Sequence, residues 1–243
     1  MNRLSGKTAL VTGGGSGIGE GIALALAAEG ANVAICGRRA ASLARVAGAI
    51  QAAGGTALAI AGDVSRAEDV TRIVRATVDA FGAIHFLVNN AGIDAPDAPL
   101  HDYPIESWDD VIATNLRGPF LMSREVLPVM RQQREGHVIH ISSEAGIEYY
   151  TETGAYTVSK FGLNTLSELM QRENQEYGIR VNTICPGMVV TEMSQNAPGL
   201  NRERCLYPED IADLVLWLLT RRANVKIGAP ILIQTMLNPW ENT

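Results

Sequence analysis

The 243-residue chain is poor in cysteine and histidine, and both shortages narrow what it can be. Its three cysteines are odd in number and form no C-x-x-C pair, which predicts reduced thiols and a cytoplasmic location. None of its four histidines has the H-E-x-x-H spacing of a zinc hydrolase, so the sequence predicts no metal site.

Long apolar runs and a surplus of positive charge are also missing. The runs GIALALAA and DLVLWLL are far shorter than the roughly 20 residues that cross a bilayer, and MNRLSGKTALVTGG has no signal-peptide pattern. The net charge of −6 and the pI near 5.3 give no general basic surface for nucleic acid or anionic membrane. We therefore expect no nucleic-acid or membrane partner, and a small molecule as the substrate.

Short apolar runs alternate with amphipathic segments of helical period along the whole chain. The predicted strands are 8–12, 32–36, 57–61, 84–89, 137–142, 179–185 and 230–234, and the helical segments include 41–53, 66–81, 106–131, 155–177 and 208–220. The strands are continuously apolar, as in a parallel sheet covered on both faces. We predict an α/β fold, a doubly wound parallel sheet of about seven strands (a Rossmann fold), in a single domain over residues 1–243. Ser65 and Glu68 predict a capping box at the start of the third helix.

The first predicted strand runs directly into a glycine-rich turn, T-G-G-G-S-G-I-G at 12–19, and a helix follows. Glycines in such a turn let the backbone approach a pyrophosphate, which then lies on the helix N-terminus. Because the turn stands between a strand and a helix, we predict that it binds a dinucleotide. The residues expected to contact the cofactor here are Gly13, Gly15, Ser16, Gly17, Ile18 and Gly19.

The end of the second strand, N-V-A-I-C-G-R-R, indicates which dinucleotide is bound. NAD-binding folds place an acidic residue there for the ribose 2′-hydroxyl, whereas this chain has Gly37 followed by Arg38 and Arg39. The alternative is two solvated arginines, but cations are unfavourable near a helix N-terminus, and a guanidinium suits a 2′-phosphate. We therefore favour NADP(H) over NAD(H) as the cofactor.

The segment G-A-Y-T-V-S-K-F-G places Tyr156 four residues before Lys160, so a helix carries both on one face. A phenol near pKa 10 is a sluggish acid at neutral pH, and lowering that pKa to ~7 requires about 4 kcal/mol. One ammonium ~4 Å away supplies about that much at an effective dielectric of 20. We expect Lys160 to make Tyr156 a general acid and base, the alternative being an ordinary surface pair.

In their order and spacing, these motifs resemble those of the short-chain dehydrogenase/reductase family. The matching segments are T-G-x-x-x-G-x-G from Thr12, N-N-A-G at 89–92, Y-x-x-x-K from Tyr156 and a Pro-Gly pair after the sixth strand. The resemblance implies a catalytic set of Asn115, Ser143, Tyr156 and Lys160. It implies further cofactor contacts from Asp63, Val64, Asn90, Ala91, Gly92, Tyr156, Lys160, Pro186, Gly187, Val189 and Thr191.

Asn115 lies in a helical stretch four residues before Pro119, which has no N–H to bond the carbonyl of residue 115. We expect that carbonyl to be free at a kink near Gly118 and Pro119; a helix break without function is the alternative. In the family that our sequence resembles, this carbonyl holds a water joined to the active-site lysine. At the end of the fifth strand, the family spacing favours Ser143 over Ser142 as the substrate contact, and Ser142 is expected to be a packing residue.

The resemblance implies hydride transfer between the nicotinamide and a carbonyl carbon, with proton exchange through Tyr156. It also implies a short substrate lid at about 188–207. Residues near the pocket mouth are mostly polar or acidic, which favours a small hydroxylated substrate such as a sugar, a polyol or an amino alcohol. By family position these residues are Asp94, Glu144, Tyr149, Tyr150, Glu152, Met188 and Met193.

Two other functions compete with this interpretation. A 3-oxoacyl-thioester reductase of the same family would need a basic docking patch, for which Arg131, Arg134 and Arg172 are scattered candidates. A nucleotide-binding scaffold without turnover predicts a damaged Tyr–Lys–Ser set, whereas this chain has all three residues. Related enzymes are commonly homotetramers, so we expect a homo-oligomer, a tetramer or a dimer.

Overall fold

In a computed structural model of the chain, which describes residues 2–240, seven parallel strands form one sheet. The strands are β1 Thr8–Thr12, β2 Asn32–Gly37, β3 Thr56–Ala61, β4 Phe86–Asn89, β5 Gly136–Ile141, β6 Ile179–Pro186 and β7 Ile231–Ile233. Their order across the sheet is β3-β2-β1-β4-β5-β6-β7. The predicted α/β fold with a doubly wound seven-stranded sheet is confirmed.

Helices cover both faces of this sheet. They are α1 Gly17–Ala28, α2 Ala40–Ala52, α3 Ala67–Phe81, α4 Ile105–Ile112, α5 Gly118–Gln133, α6 Gly154–Asn174 and α7 Pro208–Leu219. One buried apolar layer includes Ile22 of α1 and Val215 of α7, and the other includes Ile73 of α3 and Met122 of α5. The strands β1, β4 and β5 are buried along their whole length, so their sequences are mostly apolar and do not alternate with polar residues.

The start of the third helix differs from the sequence prediction. The capping box at Ser65 is wrong: α3 begins only at Ala67, and the Ser65 hydroxyl donates instead to Asp63 Oδ1 at 2.8 Å. Because the Ser65 hydroxyl bonds the Asp63 carboxylate, it does not cap α3.

The predicted helical stretch 106–131 is divided into α4 and α5 by one π-helical turn, Ala113–Arg117, in which the Gly118 amide bonds the Ala113 carbonyl. Where the sequence predicts a kink near Gly118 and Pro119, the structure has this π-helical turn, and α5 begins at Gly118.

The sheet topology determines where the motifs meet. From β1 the chain proceeds to β2 and β3 on one side and then returns to β4 on the other side. The loops after β1 and β4 consequently diverge and open a crevice at the carboxyl edge, where open α/β sheets bind ligands. The glycine turn follows β1, N-N-A-G spans the end of β4, and Ser143 follows β5, so all three reach the same edge.

Among residues 2–240, the fold contains no disulfide bond, no candidate metal-binding group and no helix able to span a membrane. All three cysteines are buried and free of disulfides. Across residues 2–240, no group of three or more His, Cys, Asp or Glu side chains is placed to hold a metal ion. No helix in the described part of the chain has the length and apolar character required to span a membrane.

Candidate active site

A cleft of about 320 Å³ opens at the carboxyl edge of the sheet, between the glycine turn, the loop after β4 and the start of α6. The predicted site residues that line it are Gly13, Gly15, Ser16, Gly17, Ile18, Arg38, Arg39, Asp63, Val64, Asn90, Ala91, Gly92, Tyr156, Lys160 and Thr191. The wall also contains residues that sequence reasoning did not assign to the cofactor site: Gly37, Ser42, Leu43, Gly62, Ile93, Thr114, Ile141, Ser142, Glu192 and Met193. The predicted residues Gly19, Asn115, Ser143, Pro186, Gly187 and Val189 lie behind or beside this wall.

The glycine turn and the N-N-A-G segment are bonded into one unit. The Thr12 hydroxyl accepts the backbone N–H groups of Asn90 and Ala91, both at 2.9 Å. The Asn90 side-chain amide donates back to the Thr12 carbonyl at 2.9 Å. Gly13 has φ +65°, and a Cβ there would stand 2.8 Å from the same Asn90 amide nitrogen. The two loops therefore form a fixed wall in which glycine is required.

The rest of the turn has the shape of a pyrophosphate cradle. Gly17 has φ +55°, and a Cβ there would lie 3.2 Å from Thr191 Cγ2, on the cleft side. A Cβ on Gly19 would collide with the Gly13 carbonyl oxygen, so this glycine serves the close backbone packing of the turn. Helix α1 begins at Gly17, and its first N–H groups have no partner within the helix. These features fit the phosphates of a dinucleotide.

The two arginines after β2 are in different environments. Arg39 Nη2 donates to Ser16 Oγ at 2.8 Å and to Glu192 Oε2 at 2.7 Å. Arg38 is exposed beside the cleft and makes no hydrogen bond or ion pair with the residues that the structure describes. Asp63, a predicted cofactor contact, accepts the Ser65 amide at 2.9 Å and also lines the cleft.

Tyr156 and Lys160 lie on one face of α6, one turn apart, as their spacing predicts. The Lys160 ammonium is 5.3 Å from the centre of the Tyr156 ring and donates to the Ile141 carbonyl at 3.0 Å. Its side chain is buried, so desolvation lowers the pKa of Lys160 to about 8. The lysine remains mostly protonated at neutral pH, and its charge is in the cleft.

The electrostatic state of Tyr156 differs from the sequence expectation. Burial raises the pKa of Tyr156 to about 12 and outweighs the lowering effect of the hydrogen bond from Ser143. The carboxylates of Asp94 and Glu144 raise the pKa further. The shift is opposite to the fall to about 7 expected from the sequence, because burial is its largest cause and the Lys160 ammonium donates to the Ile141 carbonyl.

Ser143 and Ser142 have separate roles at the end of β5. The Ser143 hydroxyl accepts the Ala145 amide at 3.1 Å, and it lies close enough to Tyr156 to lower the pKa of the phenol. Ser142 is buried, and its hydroxyl donates to the Lys160 carbonyl at 3.4 Å. Ser142 thus joins the strand end to α6 and also lines the cleft, whereas Ser143 lies beside the cleft next to Tyr156.

Asn115 is buried in the π-helical turn, and its side chain is fully used in holding the loop after β4. Its Oδ1 accepts the Ile93 amide and its Nδ2 donates to the Ile93 carbonyl, each at 2.8 Å. The same Nδ2 donates to Ser159 Oγ at 3.3 Å. A Cβ on Gly92 would stand 3.5 Å from Asn115 Oδ1 and 3.8 Å from Lys160 Nζ, so asparagine and lysine flank the same glycine.

Comparison with known proteins agrees with this geometry. A profile of the short chain dehydrogenase family matches residues 7–199. The chain belongs to the short-chain dehydrogenase/reductase family. An uncharacterized oxidoreductase of Staphylococcus aureus is 34% identical over 228 residues, which are 94% of this chain and 97% of the relative. Another, from Staphylococcus saprophyticus, is 36% identical over 232 residues with the same coverage.

Two crystal structures show how closely this dehydrogenase follows other members of its family. A metagenomic short-chain oxidoreductase in complex with NADP is 36% identical, has a TM-score of 0.86 and is matched over 97% of this chain and 100% of its own. Levodione reductase is 31% identical, has a TM-score of 0.89 and is matched over 95% of this chain and 97% of its own. The protein is therefore an NAD(P)-dependent oxidoreductase.

A polar contact that the sequence did not reveal involves Glu144, one of the residues expected near the pocket mouth. Gln234, just after β7, donates to Glu144 Oε2 at 2.6 Å, and burial and this carboxylate raise the pKa of Tyr150. A Cβ on Gly187 would stand 3.0 Å from the same Glu144 oxygen, so the predicted Pro-Gly pair packs against Glu144. Tyr149 is 84% exposed and stacks on Phe161, with ring centroids 4.9 Å apart.

The predicted lid at about 188–207 is closed at its base by backbone bonds. Val190 donates to the Leu206 carbonyl and Leu206 to the Met188 carbonyl, both at 2.9 Å. The buried Val189 pairs with Leu206 in an isolated bridge, so its position is structural. Asn201, near the middle of the segment, donates to the Pro239 carbonyl at 2.9 Å. The C-terminal segment thus braces the lid, a contact no sequence motif indicated.

Proposed function

We propose that this dehydrogenase reduces a carbonyl group on a small polar substrate with NADPH, and that Tyr156 donates the proton. The observation that carries the proposal is that Tyr156 and Lys160 line one cleft beside the glycine turn, with Ser143 next to Tyr156. The nicotinamide supplies the hydride when it is bound. The protein's own residues hold the carbonyl oxygen and deliver the proton to it.

The raised pKa of Tyr156 suits the proposed role of its phenol as a proton donor. At neutral pH the side chain is a neutral phenol, which already carries the proton that a reduced carbonyl oxygen must receive. An alkoxide is a stronger base than a phenolate, so this transfer is downhill. Alcohol oxidation would require the phenolate, and that form is costly until the positive charge of Lys160 and of an oxidised nicotinamide offset the burial. Ser143 is placed to hydrogen-bond the same oxygen.

Proton resupply is proposed to pass along the Lys160 side. The ammonium bonds the Ile141 carbonyl, and its pKa of about 8 lets it give up and regain a proton near neutral pH. Asn115 holds the neighbouring loop in place, and Pro119 has no N–H for the carbonyl of residue 115. We propose that this carbonyl and Lys160 bind the water through which the proton arrives.

For the cofactor, we propose a preference for NADP(H). Support comes from the absence of an acidic side chain at Gly37, the end of β2, and from the exposed Arg38 beside the cleft. An acidic residue at this position would repel a 2′-phosphate, whereas a guanidinium forms strong charge-assisted bonds with it. The similar metagenomic enzyme with bound NADP is consistent with this choice.

For the substrate, we propose a small carbonyl compound with hydroxyl or amino groups, and among these an amine-bearing one is favoured. Segments 94–116 and 143–155, which carry most of the residues expected near the pocket mouth, contain nine Asp and Glu residues and no Lys or Arg. Two of them, Asp94 and Glu144, act electrostatically on Tyr156 itself. A protonated amine would find its counter-charge there, whereas a phosphate or carboxylate would be repelled.

A 3-oxoacyl-thioester reductase is the second candidate. An acidic carrier protein would need free cations near the cleft, and the arginines considered for this purpose have other partners. Arg172 pairs with Glu168 at 2.8 Å. Arg131 and Arg134 both lie over the Tyr177 ring, at 4.6 and 6.0 Å from its centre. The acidic pocket mouth also opposes a carrier of the same sign.

The assembly expected from the sequence remains part of this proposal. We propose a homo-oligomer, a tetramer or a dimer, whose contacts use α5, α6 and the region of β7. Apolar side chains on these elements are exposed: Phe120 by 46%, Val158 by 46%, Leu169 by 52% and Leu232 by 45%. Light scattering coupled to size-exclusion chromatography will give the mass, and a monomer at micromolar concentration would contradict this point.

The test of the proposed function is a substrate screen followed by nicotinamide absorbance, with both cofactors. We expect turnover of amino ketones or polyol-type ketones and little turnover of aliphatic 3-oxoacyl thioesters. Tyr156→Phe should leave cofactor affinity nearly intact and abolish turnover, while Tyr177→Phe, which removes a hydroxyl outside the cleft, should change neither. Turnover that survives in Tyr156→Phe, or fast reduction of thioesters alone, would overturn the proposal.

A further inference from the structure

An ion pair crosses the cofactor cleft at its outer rim. Arg39, after β2, and Glu192, at the start of the lid, are 153 residues apart in the chain, yet Nη2 and Oε2 are 2.7 Å apart. The same nitrogen donates to Ser16 Oγ in the glycine turn at 2.8 Å. One guanidinium nitrogen therefore connects three segments that surround the cleft.

Glu192 is placed so that this pair spans the opening. Its neighbour Thr191 lies against the glycine turn, 3.2 Å from where a Gly17 Cβ would be, and both Glu192 and Arg39 line the cleft. The Glu192 carboxylate is 57% exposed and Arg39 59% exposed, so water and solutes reach both. The hydrogen bond and charge of Arg39 lower the pKa of Glu192, which keeps the carboxylate ionised at neutral pH.

We propose that Glu192 is a specificity-determining residue: it occupies Arg39 in the cofactor-free protein and so reduces the advantage of NADP(H) over NAD(H). The inference rests on the proposed binding of the 2′-phosphate at the arginines after β2. A phosphate dianion that approaches Arg39 must displace the Glu192 carboxylate, and the two anions repel each other. NAD(H) has no such group and leaves the pair between Arg39 and Glu192 in place.

Two neighbouring arginines, Arg38 and Arg45, lack the combination of contacts that Arg39 makes. Arg38 makes no ion pair with the described residues, so its charge is available to a phosphate from the start. Arg45 is held by Glu20 through two bonds of 2.7 Å, and neither residue lines the cleft. Of these guanidinium groups, only that of Arg39 is both at the cleft and shared with a carboxylate of the lid.

The test measures binding, with no need for a substrate. The dissociation constants of NADPH, NADH, adenosine 2′,5′-bisphosphate and 5′-AMP are measured by calorimetry for the wild type, Glu192→Gln and the control Glu20→Gln. Because exposed ion pairs have free energies of up to about 1 kcal/mol, we expect Glu192→Gln to bind NADPH and the bisphosphate about two- to fivefold more tightly. Affinities for NADH and 5′-AMP should not improve, and Glu20→Gln should not alter the ratio.

A double-mutant cycle with Arg39→Ala decides whether the effect acts through Arg39. We expect the gain from Glu192→Gln to vanish in the Arg39→Ala background. Equal gains for NADPH and NADH, or a gain that survives without Arg39, would overturn the inference while leaving the proposed function untouched. A wild-type protein that binds neither dinucleotide would overturn the proposed function and this inference with it. Thermal unfolding of each variant confirms that all are folded.

Discussion

Replacing Lys160 by methionine is expected to inactivate the dehydrogenase and to stabilise it. The lysine is only 4% exposed, and desolvation lowers its pKa from 10.5 to about 8, although Cys185 and Asp94 act in the opposite direction. Between pH 8 and 10.5 the unfolded chain therefore binds more protons than the native state, and stability rises with pH across that window. At neutral pH the native protein bears the full cost of the buried charge.

The size of this cost follows from the two pKa values. It is about 3 kcal/mol at pH 7 and falls to about 1 kcal/mol at pH 10. Methionine has a similar length but cannot donate to the Ile141 carbonyl, and the lost hydrogen bond costs about 1 kcal/mol. We therefore expect Lys160→Met to raise the free energy of unfolding by about 2 kcal/mol at pH 7 and by about zero at pH 10.

Urea unfolding without dinucleotide, at pH 7 and at pH 10, measures the effect directly. The matched control is Lys226→Met, which removes the charge of an exposed lysine outside the cleft and should change stability little at either pH. A Lys160→Met protein that is no more stable than wild type at pH 7, or equally stabilised at both pH values, would refute the reasoning.

Three further predictions concern the cofactor cleft and the core. Gly17→Ala places a side chain at φ +55°, so NADPH affinity should fall at least tenfold by titration, whereas Gly54→Ala, with φ +84° and no atom within 4 Å of its Cβ, should lower stability alone. For NADPH, kcat/KM should fall as pH rises through about 8, since Lys160 then loses its charge; in the inactive Lys160→Met variant, NADPH affinity measured by titration should show no step near pH 8. Burial lowers the pKa of both His137 and His140 to about 3, below the unfolded value of 6.5. The stability that depends on these neutral side chains is therefore complete above pH 6.5 and is lost as pH falls towards 3. Urea unfolding should show a loss of about 2 kcal/mol per histidine by pH 5, and a smaller loss in His140→Asn.

The fold and the meeting of the motifs could be predicted from the sequence because each depends on local signals. Continuous apolar runs mark buried parallel strands, and the parallel topology then brings the loops after β1, β4 and β5 to one edge. Helical spacing alone puts Tyr156 and Lys160 on one face of α6. Pro119, without an N–H, marks the perturbed turn at Gly118.

Electrostatic states and long-range polar contacts could not be predicted in the same way. The pKa of Tyr156 depends on burial and on how the ammonium of Lys160 is held, and only the fold determines that this ammonium bonds the Ile141 carbonyl. Similarly, nothing in R-R at 38–39 indicates that Glu192 will pair with the second arginine from 153 residues away. Ser65 shows the same limit at short range, because its hydroxyl bonds the carboxylate of Asp63, two residues earlier, and does not cap the helix.

Positive and negative side chains lie in different parts of the site, and we propose that this separation controls the protonation of Tyr156. Arg38, Arg39 and Lys160 line the cleft, and two carboxylates of the acidic segments, Asp94 and Glu144, raise the pKa of Tyr156. In the free protein the acidic side and the burial keep Tyr156 protonated. A cationic substrate would offset Asp94 and Glu144, and its arrival would lower the pKa of the phenol just when a proton must leave. Neutralising Glu144 in a Glu144→Gln variant should therefore weaken binding of an amine-bearing ketone more than that of its neutral hydroxyl analogue, and equal losses for both would contradict this account of the acidic side.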